Sequence, residues 1–223
     1  MPDLSPVWLS LQLAAVTTVI LLLVGAPLAW WLARTKSPIR PVVEAITALP
    51  LVLPPTVLGF YLLILFAPDA PLGGFFVALT GETLTFSFSG LVLASVLYSF
   101  PFMVQPLQTA FSAVGKGPME DAASLNIPPL KAFFLVALPM SARGFLTGIV
   151  LSFAHTLGEF GVVLMVGGNI PGRTKVISIA IYEHVETLRY AEAHWLAGGL
   201  IAVSLAVLIA VYAFNRRSAV HVG

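Results

Sequence analysis

The sequence predicts an all-α integral membrane protein with five transmembrane helices, its N-terminus outside and its C-terminus inside. Three observations predict it. Of 223 residues, 58% are hydrophobic and only 9% are charged, where a soluble domain carries about 25% charge. The 11 Lys and Arg and 10 Asp and Glu are too few to coat a soluble surface of this size, and the mean hydropathy is +0.97. Five segments are long and apolar enough to cross a bilayer, which takes roughly 20 residues each. Backbone groups in lipid must be satisfied within their own segment, so these are helices. The third observation is an uneven placement of the bases, taken up below. The same composition excludes other classes. A net charge of +1 leaves no nucleic-acid footprint. With 0 Cys there is no disulfide framework, thiolate nucleophile or Cys-based metal site.

The first span, residues 7–33, carries no charge. It is too long, and its start too poor in bases, for a cleaved signal peptide, so it reads as a retained helix. The second, 42–67, has only Glu44 at its edge. Pro50, Pro54 and Pro55 interrupt its hydrogen-bond ladder and are expected to kink it. The third, 86–111, is uncharged. Its Ser95 and Ser99 share a helix face and are candidates to line a polar path, although each could bond its own i−4 carbonyl. The fourth, 144–166, carries only His155 and Glu159, and its Gly144 and Gly148 form a GxxxG step that permits close packing. The fifth, 194–214, has only His194 at its entrance. Between the fourth and fifth, residues 176–190 place Val176, Ile177, Ile179, Ile181, Val185 and Leu188 among charges, the pattern of an amphipathic interfacial helix.

Orientation follows from the bases. With the N-terminus outside, eight fall inside (Arg34, Lys36, Arg40, Lys116, Lys131, Arg143, Arg216 and Arg217) and three outside (Arg173, Lys175 and Arg189). The stretch from Pro68 to Thr85 then lies outside as a connection.

The inner segment 115–139 is patterned as two short helices and a corner. Pro118 suits a first helical position, where its missing N–H is no loss. Glu120 and Asp121 then stand in the first turn, at the positive end of the helix dipole. Asn126 is placed to end that helix in the left-handed conformation. Pro128 and Pro129 start a second helix, which Pro139 is expected to halt near Leu138, because the residue before proline avoids helical geometry.

Glu120-Asp121-Ala122, then Asn126, then Val136-Ala137-Leu138-Pro139, resembles in register the EAA loop of ABC importer permeases, with Asp121, Asn126 and Val136 as departures from the family pattern. The resemblance extends over nearly the whole chain. Leu49 to Pro55, Ser99-Phe100-Pro101, Gly158-Glu159-Phe160-Gly161 and Gly168 to Thr174 look like the corresponding segments of molybdate permeases, with sulfate permeases, typically longer, as neighbours. The resemblance implies a single permease domain over 1–223 with the type I ABC importer fold. It implies an ATPase-coupling loop made by Glu120, Asp121, Ala122, Asn126, Val136, Leu138 and Pro139. It also implies two ATPase subunits docked on the loops of two copies of this chain, a binding protein that delivers the cargo, and location in the cell (inner) membrane of a prokaryote. The expected cargo is a tetrahedral oxyanion, molybdate before tungstate or sulfate. A rival of another class is a proton-coupled secondary carrier.

Ionisable groups at membrane depth are costly, which marks His155 and Glu159 as functional or paired. They sit one turn apart, and the plainest reading is a hydrogen-bonded pair joining neighbouring helices, with a proton relay or gate as the alternative. With Ser95, Ser99 and Asn169 they are the candidates for pathway or gate. Two ligands are too few for a metal site, and no cofactor is called for. The chain nowhere reads G-x-x-x-x-G-K-[ST], so it carries no P-loop and is not itself expected to be an ATPase.

Overall fold

The computed structural model describes residues 3–217, and every regular element among them is helical. Helix α1 (Ser5–Arg34), α5 (Phe88–Val114) and α9 (Ala142–Gly158) make the central three-helix contact. Leu21, Ala29 and Leu32 of α1 are buried against Met103, Val104, Leu107 and Phe111 of α5. Glycines set the close approaches. A Cβ on Gly144 would stand 2.3 Å from the Ala110 Cβ, and one on Gly148 would stand 3.0 Å from the Met103 sulfur. The GxxxG step is therefore a real contact between α9 and α5.

Ser5–Arg34, Phe88–Val114 and Tyr190–Ile209 are each long and apolar enough to cross a membrane, and the number rises to 5 only if each of two bent pairs is one span. The first pair carries the kink expected at Pro50, Pro54 and Pro55, and the second joins Pro129–Met140 to Ala142–Gly158. In the second segment, α2 (Arg40–Val52) and α3 (Pro55–Phe66) meet at 111°. Leu53 and Pro54 are extended, with ψ 136° at both, because Pro54 and Pro55 remove two successive donors. In the fourth, α9 stops at Gly158 and α10 (Gly161–Gly167) begins after a two-residue break.

Between α2/α3 and α5 lies α4 (Pro71–Thr80), a short helix in what the sequence marked only as a connection. It ends where Gly81 takes φ 75°, a left-handed turn that glycine enters freely.

Past α5 come α6 (Gly117–Ser124), α7 (Pro129–Ala132), a π-helical turn (Phe133–Ala137) and α8 (Leu138–Met140). Here Pro139 does not halt the helix. The wide turn ahead of it, in which the Leu138 N–H donates to the Phe133 carbonyl, accommodates the ring. The chain bends two residues later, at Ser141, and α9 leaves at 73°.

Helix α11 (Ile177–Glu186) buries Ile177, Ile179 and Ala180, with Val176 buried just ahead of it, while Val185 and Leu188 are exposed. The helix ends before Leu188, which adopts φ 57° in the following turn. Helix α12 (Tyr190–Arg217) completes the fold. The side chains of Arg216 and Arg217 and the tail 218–223, expected inside, lie outside the described residues.

Candidate functional site

The 115–139 segment forms a hairpin of two helical arms. Gly115 ends α5 with φ 69° and ψ −163°, a conformation that glycine adopts freely, and Pro118 stands in the first turn of α6. Glu120 and Asp121 are both exposed. At the corner Asn126 has φ 57°. Its N–H donates to the Ala123 carbonyl at 2.9 Å, and the Ile127 N–H reaches the Ala122 carbonyl at 3.0 Å. That pair of bonds is the Schellman arrangement, which satisfies carbonyls the helix end leaves open. Ala122, Ala132 and Ala137 are buried, so small side chains allow the two arms to close on each other. Val136 and Leu138 are half-buried on the second arm, and Pro139 is exposed.

The pathway and gate candidates fall into separate places. Ser99 of α5 and His155 of α9 meet, with Ser99 Oγ 2.9 Å from His155 Nδ1 and 2.9 Å from Thr156 Oγ1. The imidazole is stacked on Phe102 at 4.0 Å between ring centroids and tilted against Tyr98 at 4.9 Å. Ser99 thus bonds across helices rather than to its own i−4 carbonyl. Ser95, also buried, has a hydroxyl with no partner among the described residues.

His155 and Glu159 do not form the expected pair. Helix α9 ends between them, and Glu159 turns extended with φ −65° and ψ 136°. Its side chain, only 7% exposed, accepts the Val162 N–H on Oε1 at 2.8 Å. The first N–H groups of a helix lack partners within it. Glu159, one residue ahead of the Phe160 N-cap position, therefore caps α10 by accepting one of them. Its own carbonyl accepts from Ser178 Oγ of α11 at 2.5 Å, and the neighbouring Ile177 N–H donates to Ser10 Oγ of α1 at 2.7 Å. Two side chains thus tie α11 to α1 and to the break.

The two breaks adjoin. A Cβ on Gly161, the first residue of α10, would stand 2.6 Å from the Pro55 Cβ at the start of α3, and one on Gly59 would stand 2.8 Å from the Met165 Cβ. Helices α3 and α10 therefore pack side by side from their first turns.

Asn169 is exposed in the turn after α10, and its Nδ2 donates to Glu183 Oε2 at 2.6 Å. Lys175 at 2.6 Å and Arg189 at 3.6 Å complete the cluster on Glu183. Hydrogen bonds from Lys175 and Asn169 hold the Glu183 carboxyl below the ordinary carboxylate value. Buried Thr174 locks the same turn, donating from Oγ1 to the Gly167 carbonyl at 2.7 Å and accepting the Ile170 N–H at 3.2 Å. The Asn169–Thr174 stretch is thus a fastened turn in which Asn169 meets Glu183 rather than any of the other candidates.

Thr156, Tyr98, Phe102, Ser178 and Ser10 were not marked by the sequence. Each acts through a partner on another helix, for which no local signal exists. No group of three or more His, Asp or Glu able to hold a metal occurs among the described residues.

Comparison with known proteins shows what this arrangement belongs to. The family described as "Binding-protein-dependent transport system inner membrane component" matches residues 25–219. The molybdenum transport system permease protein ModB of Azotobacter vinelandii is 54% identical over 217 residues, 97% of this chain and 96% of the relative. The molybdenum permease of Escherichia coli K12 is 35% identical, covering 83% of this chain and 81% of the relative. The sulfate transport system permease protein CysT of Salmonella typhimurium is 32% identical over 86% of this chain and 69% of its own length. Among solved structures, inward-facing MetNI, a methionine ABC transporter, superposes with a TM-score of 0.70 at 15% identity, covering 95% of this chain and 94% of that one. At that identity the likeness shows the fold and nothing of the cargo.

Proposed function

We propose, from the premise that the chain belongs to the binding-protein-dependent transport system inner membrane components, that it is the permease subunit through which an ATP-driven importer carries molybdate into the cell. The relation to a molybdenum permease over 97% of the chain carries the cargo assignment. The span pattern that fits is α1, α2 with α3, α5, α9 with α10, and α12, with the N-terminus outside. Five spans are few for a path, so two copies around a two-fold axis fit best. Two ATPase subunits would then take the two 115–139 hairpins, and a binding protein would deliver cargo from outside.

The geometry supports a direct mechanism. Glu120 and Asp121 offer exposed charge to a partner. The Schellman corner and the buried alanines make the hairpin a rigid handle. Nucleotide closes the ATPase dimer, moves the two handles, and biases the helices between inward and outward openings. Glu159 serves as a cap, its side chain accepting the buried Val162 N–H and so holding the start of α10 in place. His155, half-buried beside Ser99 and Thr156, is the polar group best suited to brief contact with an oxyanion. No Lys or Arg stands within the spans at depth. A conduit must release what it admits, so weak contacts suit it, and selection rests with the binding protein.

Uptake by the complete transporter with molybdate, tungstate and sulfate in competition tests the cargo. Molybdate uptake should resist an equal concentration of sulfate. Displacement by sulfate would move the chain to the sulfate branch, and transport of none of the three would leave an importer of another cargo.

A further inference from the structure

The hairpin is joined by covalent continuity to α5 and α9, but to α1 only through side chains. At the loop end of α1, the Arg34 guanidinium lies over the Trp30 ring, 3.8 Å from its centroid. From there Nη2 donates to the Gly115 carbonyl at 3.3 Å. The Trp30 ring meets Phe111, near the end of α5, edge-on at 5.0 Å, and Phe133, in the second arm, edge-on at 4.9 Å. Phe111 also meets Phe145 of α9 at 5.6 Å. One tryptophan thus touches both legs of the hairpin, and one arginine bridges that tryptophan to the residue where the hairpin begins.

We propose that Arg34 and Trp30 form a strut that makes α1 move with the hairpin, so that Arg34 is a positioning residue for the conversion of ATP hydrolysis into transport. Three features support this beyond proximity. A guanidinium can stack its plane on an indole while its edge donates to a carbonyl, so one side chain holds both partners. The acceptor is aimed by a backbone that an L side chain resists, since Gly115 has φ 69° and a Cβ there would meet nothing within 4 Å. A substitution at Gly115 therefore acts through backbone direction alone. The bland role for an arginine in a last helical turn, favourable interaction with the helix dipole and retention on the inner side, requires neither Gly115 nor Trp30.

The strut rests on the reading of the hairpin as the ATPase handle, and the test separates the two. The complete transporter, with its ATPase and binding protein in vesicles, is assayed for molybdate imported per ATP hydrolysed. Arg34→Gln and Gly115→Ala should each lower that ratio about five-fold, in the range by which residues that link two sites alter coupling. The double variant should be no worse than either single, because both remove one link. Gly115→Ala changes no charge, so it carries the test should Arg34→Gln fail to assemble. An unchanged ratio in the singles, or a double variant with the product of two independent losses, overturns the strut. A wild-type transporter whose ATP hydrolysis ignores the binding protein and molybdate would instead remove the reading of the hairpin itself.

Discussion

The chain interrupts its helices in two unlike ways, at the 124–129 corner of the hairpin and at the 158–161 break between α9 and α10. At the corner the work is local. Asn126 takes the left-handed conformation, two backbone N–H groups close onto Ala122 and Ala123, and Pro128 and Pro129 restart the chain. At the break one local side chain works with two from elsewhere in the fold. Glu159 caps forward onto Val162, Ser178 of α11 holds the Glu159 carbonyl, and Pro55 of α3 fills the space that Gly161 leaves. The difference follows from burial. An exposed corner can leave groups to hydration, so a residue with the right backbone preference is enough. A break walled in by other helices must find protein partners for each freed group. A turn of the first kind holds its own shape, and one of the second kind is stable only while its neighbours stay in place.

Glu159→Ala should have the largest effect. It leaves the Val162 N–H buried without its acceptor, a loss of about 1–3 kcal/mol. Thermal unfolding of the purified transporter should shift down and uptake should fall steeply. Glu159→Gln keeps an acceptor oxygen, and uptake should fall only moderately, with little dependence on external pH. Complete loss in the Gln variant together with a shifted pH profile would make Glu159 a proton carrier instead of a cap.

Asn126→Val comes next. A β-branched residue in the left-handed region costs about 1–2 kcal/mol, all of it at an exposed corner. Insertion and expression should hold while molybdate-stimulated ATP hydrolysis weakens. Asn126→Gly, which meets no such strain, should match the parent. Equal behaviour of Val and Gly here would show that corner geometry does not matter to coupling.

Ser178→Ala should give the smallest change, about 1 kcal/mol, for one hydrogen bond between α11 and the break. Faster hydrogen exchange at Val162 and Val163 than in the parent would report it. No change there would mean that α11 does not support the break.

The same contrast explains what was legible in the sequence. Hydropathy placed the long apolar helices α1, α5 and α12, and the Pro54-Pro55 pair announced the 111° bend. The corner at Asn126 could be read because its residues carry their own backbone preferences. The break after Gly158 could not. Nothing local distinguishes Glu159 as a helix residue facing His155 from Glu159 as the cap of a new helix, because the deciding partners, Ser178 and Pro55, lie on other elements. Pro139 misled for a related reason. A proline stops a regular α-helix, but the π turn Phe133–Ala137 widens the ladder ahead of it, a response that depends on how the second arm packs. Ser99 likewise looked ready to bond its own helix until α9 brought His155 and Thr156 within 2.9 Å.

The account stands on a handle that an ATPase moves, and it is tested most directly by molybdate uptake into vesicles containing this chain with and without its partner ATPase, in the presence of binding protein and a proton gradient. Uptake should require both the ATPase and ATP, and should vanish when either is withheld. Uptake by the chain alone, driven by the proton gradient, would contradict the account and make the protein a secondary carrier.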